Sequence, residues 1–278
     1  QFKDGDGNDF YPVMMNYFVH LSYNTYPITQ AIDVDINPWN NYGTENHFEH
    51  QDGAQAIQND LHEIAHLGFN SIRLIFGLKR YTTPISGLNC TSTDPLFTFD
   101  WFIHSGINTG NRQCFAIRPP YSADASQNLE MSIYLLKVEE VLSIAEDENL
   151  KVVLLTADGY DLFSTPNDDT AVNDYAAFLN ILGAYFATNT TIIAYDLDNE
   201  PHYKDGDQQV YNRRKNEVCT YTGILYDAIK GSDPNHLVTI GLGDEGTVET
   251  WDPEVIKADF VSLHLYPYFV KGKDFGDH

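Results

Sequence analysis

The chain has 278 residues, 42% of them hydrophobic, which is enough for one large domain of the size of an α/β barrel. Its 40 acidic and 16 basic side chains give a net charge of −24, which disfavours nucleic acid or an anionic membrane as a partner and fits a neutral substrate outside the cytoplasm. No apolar run approaches the length of about 18 residues that a transmembrane helix requires, so we expect no membrane span.

Six short apolar runs predict β-strands. They are rich in β-branched and aromatic residues and are apolar on both faces in places, which is typical of strands buried in a parallel sheet. In chain order, the predicted strands cover residues 10–18, 70–76, 150–156, 191–197, 236–242 and 260–266.

Helical patterns lie between these strands. Apolar residues at helical spacing predict helices over residues 57–65, 131–145, 172–186 and up to 229, and Gly68 is a natural stop for the first. The alternation of strand and helix predicts a parallel sheet. No glycine-rich nucleotide-binding loop follows a strand, which favours a (β/α) barrel over a doubly wound sheet. We expect one domain, because no internal linker is visible.

Two predicted connections are unusually long. Residues 21–53 carry Trp39, and residues 78–128 carry Trp101 together with Cys90 and Cys114, which are candidates for a disulfide. Both connections follow the C-terminal ends of strands, the face on which barrels build their sites. Long connections without evident structure are usually functional or disordered, and the aromatic content of these two favours function.

The run from residue 192 to 202, IIAYDLDNEPH, begins with the apolar residues of a buried strand and ends in polar residues and a proline. Glu200 falls at the C-terminal end of the fourth predicted strand, where a carboxylic acid at an apolar rim suits a general acid. Asn199 offers both a donor and an acceptor to a hydroxyl-rich ligand. Pro201 prevents the ladder from continuing. The run therefore predicts an active-site edge.

Five stretches of the chain resemble the retaining glycoside hydrolases of clan A, and among them family 5, the cellulase and endo-β-mannanase group. This resemblance implies a (β/α)8 TIM barrel and two carboxyl groups roughly 5 Å apart, one a proton donor and the other a nucleophile. The stretches resemble the second to sixth strands of that family in order: NSIRLIFG, LKVVLLTADGY, IIAYDLDNEP, DPNHLVTIGLGDEG and DFVSLHLYPYF.

The resemblance also implies roles for individual residues. Glu200 takes the acid/base role, and Asn199 contacts the sugar 2-hydroxyl. Arg73, on the second strand, would hold a carboxylate ionised and oriented through its charge and paired hydrogen bonds. His264 and Tyr266 alternate on the sixth strand and so face the same way. Tyr266 would then donate to the nucleophile and His264 to a sugar hydroxyl.

Several assignments have a structural alternative. Arg73 could form a purely structural ion pair, and His264 and Tyr266 could be satisfied core residues. Asp158, at the end of the third strand, is a candidate for binding a sugar hydroxyl or for a turn. Trp39 is a candidate sugar platform, with loop packing as the alternative.

The nucleophile of the family is not identifiable in this chain. In the family it ends the seventh strand, whereas six strands are predicted here. Glu245 is the nearest acid by sequence, and its surroundings, GDEG, fit a turn better. We therefore expect a single domain over residues 1–278 without its last two β/α units, with about 80–100 further residues supplying a glutamate. Expressed alone, these 278 residues should aggregate or unfold with low cooperativity and show no hydrolysis, because open sheet edges invite association.

The sequence thus predicts a retaining β-glycoside hydrolase, secreted or periplasmic, acting on an oligo- or polysaccharide such as mannan or glucan. The alternative is a non-catalytic carbohydrate-binding protein on a degenerate barrel. We expect no cofactor and no metal, because the three cysteines are too few and too scattered for a zinc site. An aldolase-type barrel is disfavoured, because no lysine ends a predicted strand.

Overall fold

Strands and helices alternate along most of the chain. The computed structural model describes residues 9–38, 52–81, 96–99, 103–104, 115–157, 169–199, 208–242 and 256–263. In chain order the elements are β1 (Met14–Tyr23), a 3-10 helix (Ala31–Asp33), β2 (Val34–Pro38), α1 (Gly53–His66), β3 (Ser71–Ile75), β4 (Leu78–Tyr81), β5 (Leu96–Phe99), β6 (Ile103–His104), β7 (Ala116–Ile117), α2 (Leu129–Asp147), β8 (Lys151–Leu155), α3 (Asp169–Phe186), β9 (Ile192–Asn199), α4 (Gln208–Ser232), β10 (Leu237–Leu242) and β11 (Ser262–Leu263).

Six parallel strands form the centre of the fold, in the order β1, β3, β8, β9, β10 and β11. Sheet order equals chain order, and α1 to α4 lie between successive strands from β2 to β10. All five residues of β3 are buried, as expected for a strand covered on both faces. Each predicted strand and helix overlaps an observed one, so the prediction of a (β/α) barrel architecture is confirmed.

The boundaries of the first predicted strand and of the two long connections are wrong. β1 runs on to Tyr23, and β2 pairs with it antiparallel, from Val19 opposite Pro38 to Tyr23 opposite Val34. The second connection contains β4, β5 and β7, which form a separate three-stranded antiparallel sheet, and β6, which pairs with β1. These strands have two to five residues, too few for periodicity to reveal them.

Side-chain caps begin α1 and α2, and a glycine follows the end of α1. The Asp52 side chain accepts from the backbone N–H of Gln55 at 3.1 Å and caps α1. Gly68, the predicted stop, has a φ of +94°, a conformation that glycine adopts at no steric cost. Asn128 caps α2 in the same way, accepting from Met131 at 2.9 Å. None of the helices among the described residues is long and apolar enough to cross a membrane.

Aromatic packing fixes the three-stranded sheet to the barrel. Phe97 of β5 stacks on Phe178 of α3 with ring centroids 4.2 Å apart, and its centroid lies 5.3 Å from that of Tyr175. Tyr121, which precedes α2, packs edge-on against both phenylalanines. The sheet is therefore anchored on α3.

A buried polar cluster joins the end of α4 to β9 and β10. Asp233 accepts from the Tyr195 hydroxyl at 2.8 Å, and its Oδ2 lies 2.5 Å from Nδ1 of His236, whose Nε2 lies 2.7 Å from the carbonyl oxygen of Asn189. Burial alone would raise the pKa of the Asp233 carboxyl. The hydrogen bonds from His236 and Tyr195 and the charge of His236 outweigh that effect, and this pKa lies below its ordinary value.

Candidate active site

Two of the predicted site residues, Arg73 and Asn199, lie within the described part of the chain, and they are in contact. Arg73 is on β3 and Asn199 ends β9, and the Arg73 guanidinium donates to Asn199 Oδ1 at 3.0 Å. The other predicted site residues, together with Glu245 and the cysteine pair, lie outside the described residues: Glu200, His264, Tyr266, Trp39, Asp158, Cys90 and Cys114.

Asp196 is the carboxylate that Arg73 holds. Its Oδ2 accepts from Arg73 Nε at 2.8 Å and lies 2.7 Å from the terminal guanidinium nitrogen. Its Oδ1 accepts from the backbone N–H of Gly241 on β10 at 2.8 Å. Asp196 is fully buried and Arg73 is 5% exposed. Arg73 therefore forms a buried ion pair and also contacts Asn199, and its role in a catalytic site stays a prediction.

Sequence reasoning did not assign a role to Asp196. The available signal was an acidic residue between Tyr195 and Leu197 in a strand that is otherwise buried. A buried carboxylate needs a partner, because an unpaired charge in the protein interior is very unfavourable. An acid at this position therefore predicts a cation on another strand of the sheet, and Arg73 of β3, with β8 between its strand and β9, is that cation.

A β-bulge brings Asp196 and Asn199 to the same partner. Along β10 the register advances two residues, from Thr239 to Gly241, while β9 advances three, from Asp196 to Asn199. In a regular strand, residues three apart point to opposite faces of the sheet. The extra residue in β9 turns Asn199 to the same face as Asp196, so both side chains reach Arg73.

Two buried hydroxyl groups, those of Tyr175 and Thr156, lie next to the β9 bulge. The Tyr175 hydroxyl of α3 donates to the carbonyl oxygen of Leu197 at 2.5 Å, and Thr156, just after β8, places Oγ1 2.7 Å from the Tyr175 oxygen. Both residues are fully buried. Burial and the nearby charge of Asp198 hold the pKa of Tyr175 well above its ordinary value, so the hydroxyl remains a donor.

This geometry fixes the orientation of the Asn199 amide. Because Oδ1 accepts from Arg73, the amide NH2 group is turned to the other side, where it can donate to a ligand oxygen. Asn199 is half-buried and directly precedes Glu200 in the sequence. The described residues contain no group of three or more metal-ligating side chains.

Comparison with known proteins identifies the family. The family model described as cellulase (glycosyl hydrolase family 5) matches residues 32–277. The chain belongs to glycosyl hydrolase family 5. This family 5 chain is similar to the mannan endo-1,4-β-mannosidase A of Hypocrea jecorina, with 26% identity over an alignment 226 residues long that covers 69% of the chain and 45% of the relative. The predicted family is therefore confirmed.

The fold is shared with a solved mannosidase structure. An exo-β-1,4-mannosidase of the Opitutaceae bacterium strain TAV5 aligns with 96% of this family 5 chain and 40% of its own, at 16% identity and a TM-score of 0.52. Thermotoga maritima Cel5A, solved in complex with a mannotriose substrate, aligns with 76% of the chain and 54% of its own, at 17% identity and a TM-score of 0.49. The chain thus spans between 40% and 54% of the length of these three proteins.

Proposed function

We propose that the protein hydrolyses a β-linked glycan with retention of configuration and that Glu200 is its acid/base. The observation that carries this proposal is the contact between Arg73 and Asn199. It fixes the residue directly before Glu200 at the C-terminal end of a parallel strand, the end at which barrels place their catalytic groups. Membership of glycosyl hydrolase family 5 supports the same reaction class.

A β-mannan is the substrate that we propose first, with a β-glucan second. The relative from Hypocrea jecorina is named for its action on mannan. Both polymers are neutral, which suits a chain with a net charge of −24, because a polyanionic substrate would be repelled.

The proposed mechanism uses the acid and the amide together. Glu200 protonates the leaving oxygen, and the Asn199 NH2 group donates to the sugar 2-hydroxyl, a hydrogen bond that strengthens in the transition state. A second carboxylate roughly 5 Å from the acid attacks the sugar in a retaining enzyme. We propose that Tyr266 donates to this nucleophile and that His264 donates to a sugar hydroxyl.

Substitution of Glu200 by glutamine tests the proposal. In the whole protein, Glu200→Gln should lower the turnover of a natural β-mannan by about 10²–10⁴-fold, the range typical of general acid catalysis. An activated aryl β-mannoside, whose leaving group needs little protonation, should lose much less in the glycosylation step. The matched control is Glu63→Gln, at an exposed position on α1, which should behave as wild type on both substrates.

Two results would overturn the proposal. Equal losses on the polysaccharide and on the aryl glycoside would remove Glu200 from the acid role. A whole protein that binds β-mannan but releases no sugar would be a carbohydrate-binding protein instead. NMR detection of the first-formed anomer decides between retention and inversion.

A further inference from the structure

Tyr175 and Thr156 form a small polar cluster beneath the end of β9, which we call the β9 clamp. Tyr175 comes from α3 and Thr156 from the end of β8, so the clamp joins three consecutive elements of the barrel. The Tyr175 hydroxyl donates to the carbonyl oxygen of Leu197, and the Thr156 backbone N–H donates to that of Asp196 at 2.9 Å. Both carbonyls lie next to the bulge.

Both hydroxyls of the clamp lie next to β9 carbonyl groups. The Tyr175 hydroxyl donates to the carbonyl oxygen of Leu197, which can only accept. Thr156 Oγ1 lies 2.7 Å from the Tyr175 oxygen, 3.2 Å from the carbonyl oxygen of Asp196 and 3.4 Å from that of Leu197. The contacts therefore link Thr156, Tyr175 and the β9 backbone, and they are closed to solvent, because Thr156, Tyr175 and Leu197 are fully buried.

The bulge determines which way Asn199 faces. With regular two-residue alternation, Asp196 and Asp198 would share one face of β9 and Asn199 would face the helices. Arg73 contacts both Asp196 and Asn199, so the bulge must be in place for the site to form. A bulge interrupts the ladder between strands and leaves backbone groups that need other partners. Tyr175 supplies one such partner.

We propose that Tyr175 and Thr156 are positioning residues, which hold the β9 bulge and through it the orientation of Asn199 and Glu200. This inference rests on the proposed function. The rings around Tyr175 keep its hydroxyl in place, because Phe97 and Phe178 pack against it with centroids 5.3 and 6.2 Å away. Tyr175 contacts β9 through the carbonyl oxygen of Leu197, and its proposed effect on the site is transmitted by the β9 backbone.

The test removes the hydroxyl and keeps the ring. Tyr175→Phe should lower kcat on β-mannan by about 10–10²-fold, the effect of a small displacement of a catalytic group, with KM unchanged. Tyr195→Phe is the matched control, because Tyr195 is also buried and the variant also loses one hydrogen bond, to Asp233 directly after α4. It should lose stability but keep the wild-type kcat. Equal kcat in the two variants would overturn the inference.

Thr156 provides a second pair of variants. Thr156→Ser keeps the hydroxyl and should retain kcat, whereas Thr156→Val has a similar shape without the hydroxyl and should reproduce the loss seen with Tyr175→Phe. A Thr156→Val variant with wild-type kcat would contradict the clamp, since its hydroxyl would then be dispensable.

A double variant separates this inference from the proposed function. If the clamp acts through the acid, adding Tyr175→Phe to Glu200→Gln should cause little further loss of turnover, because effects within one unit are not additive. A full additional loss of turnover would overturn the role of the clamp and leave the proposed function standing. Wild-type turnover of Glu200→Gln by itself would overturn the proposed function, and the role of the clamp with it.

Discussion

Replacing Asp196 by asparagine tests how strongly the buried ion pair stabilises the fold. Asp196 accepts one hydrogen bond from Arg73 Nε and one from the backbone N–H of Gly241, and its Oδ2 lies at ion-pair distance from a second guanidinium nitrogen. Asparagine has nearly the same shape but only one acceptor oxygen. Whichever way the amide turns, its NH2 group faces a donor, either the guanidinium or the Gly241 N–H. One contact becomes unfavourable, and the buried arginine loses its counter-charge.

The expected effect is large, because both partners are buried. Removing one member of a buried ion pair typically destabilises a protein by about 3–5 kcal/mol, since the other charge is left uncompensated. This corresponds to a change of about 10²–10⁴-fold in the equilibrium between the folded and unfolded forms. Urea unfolding of the whole protein at neutral pH, followed by circular dichroism, measures the difference.

The same chemical change at an exposed pair provides the control. Asp227 pairs with Lys257 on the surface, where their side chains are 65% and 50% exposed. Asp227→Asn should therefore reduce the free energy of unfolding by less than about 1 kcal/mol. An Asp196→Asn variant that is no less stable than Asp227→Asn would refute the argument, because the buried pair would then be energetically equivalent to a solvated one.

Three further substitutions test other parts of the fold. Because the folded-state pKa of Asp233 lies below its unfolded value, its bond with His236 stabilises the fold above about pH 4, and that contribution disappears as the pH falls through the folded-state pKa. Asp233→Asn should thus be less stable than wild type near neutral pH, with a deficit that shrinks below about pH 4, and a constant deficit would contradict this. Gly53→Ala should destabilise the protein by about 1–3 kcal/mol in thermal unfolding, because a Cβ there would overlap the carbonyl oxygen of Ile36. Gly223→Ala, whose Cβ meets no atom within 4 Å, should be neutral or stabilising.

Most of the barrel could be predicted from the sequence, because its strands are buried on both faces and its helices have a regular apolar stripe. The three-stranded sheet and β2 were not predicted, because their strands are too short to show such a pattern. β2 alternates Val34 and Ile36, both buried, with Asp35 and Asn37, but a pattern of four residues is too short to decide between strand and loop. Pairing with distant partners, which a sequence does not display, stabilises such strands.

Arg73 and Asn199 were both singled out in the sequence, but the contact between them and the way it is made were not predictable. Strict alternation along β9 places Asn199 on the opposite face from Asp196. A bulge corrects this, and nothing in the residues Asp196 to Asn199 reveals one. The partners that hold the bulge, Thr156 and Tyr175, come from other elements and carry no motif. The roles of the predicted residues outside the described part of the chain remain predictions.

The way the three-stranded sheet is attached affects how members of such a family can diverge. Its fixed point is a pair of stacked rings, Phe97 on Phe178. Connecting segments in general accept insertions and substitutions more readily than the elements they join. We therefore expect sequence changes around this sheet to be tolerated during evolution as long as the two rings keep their contact.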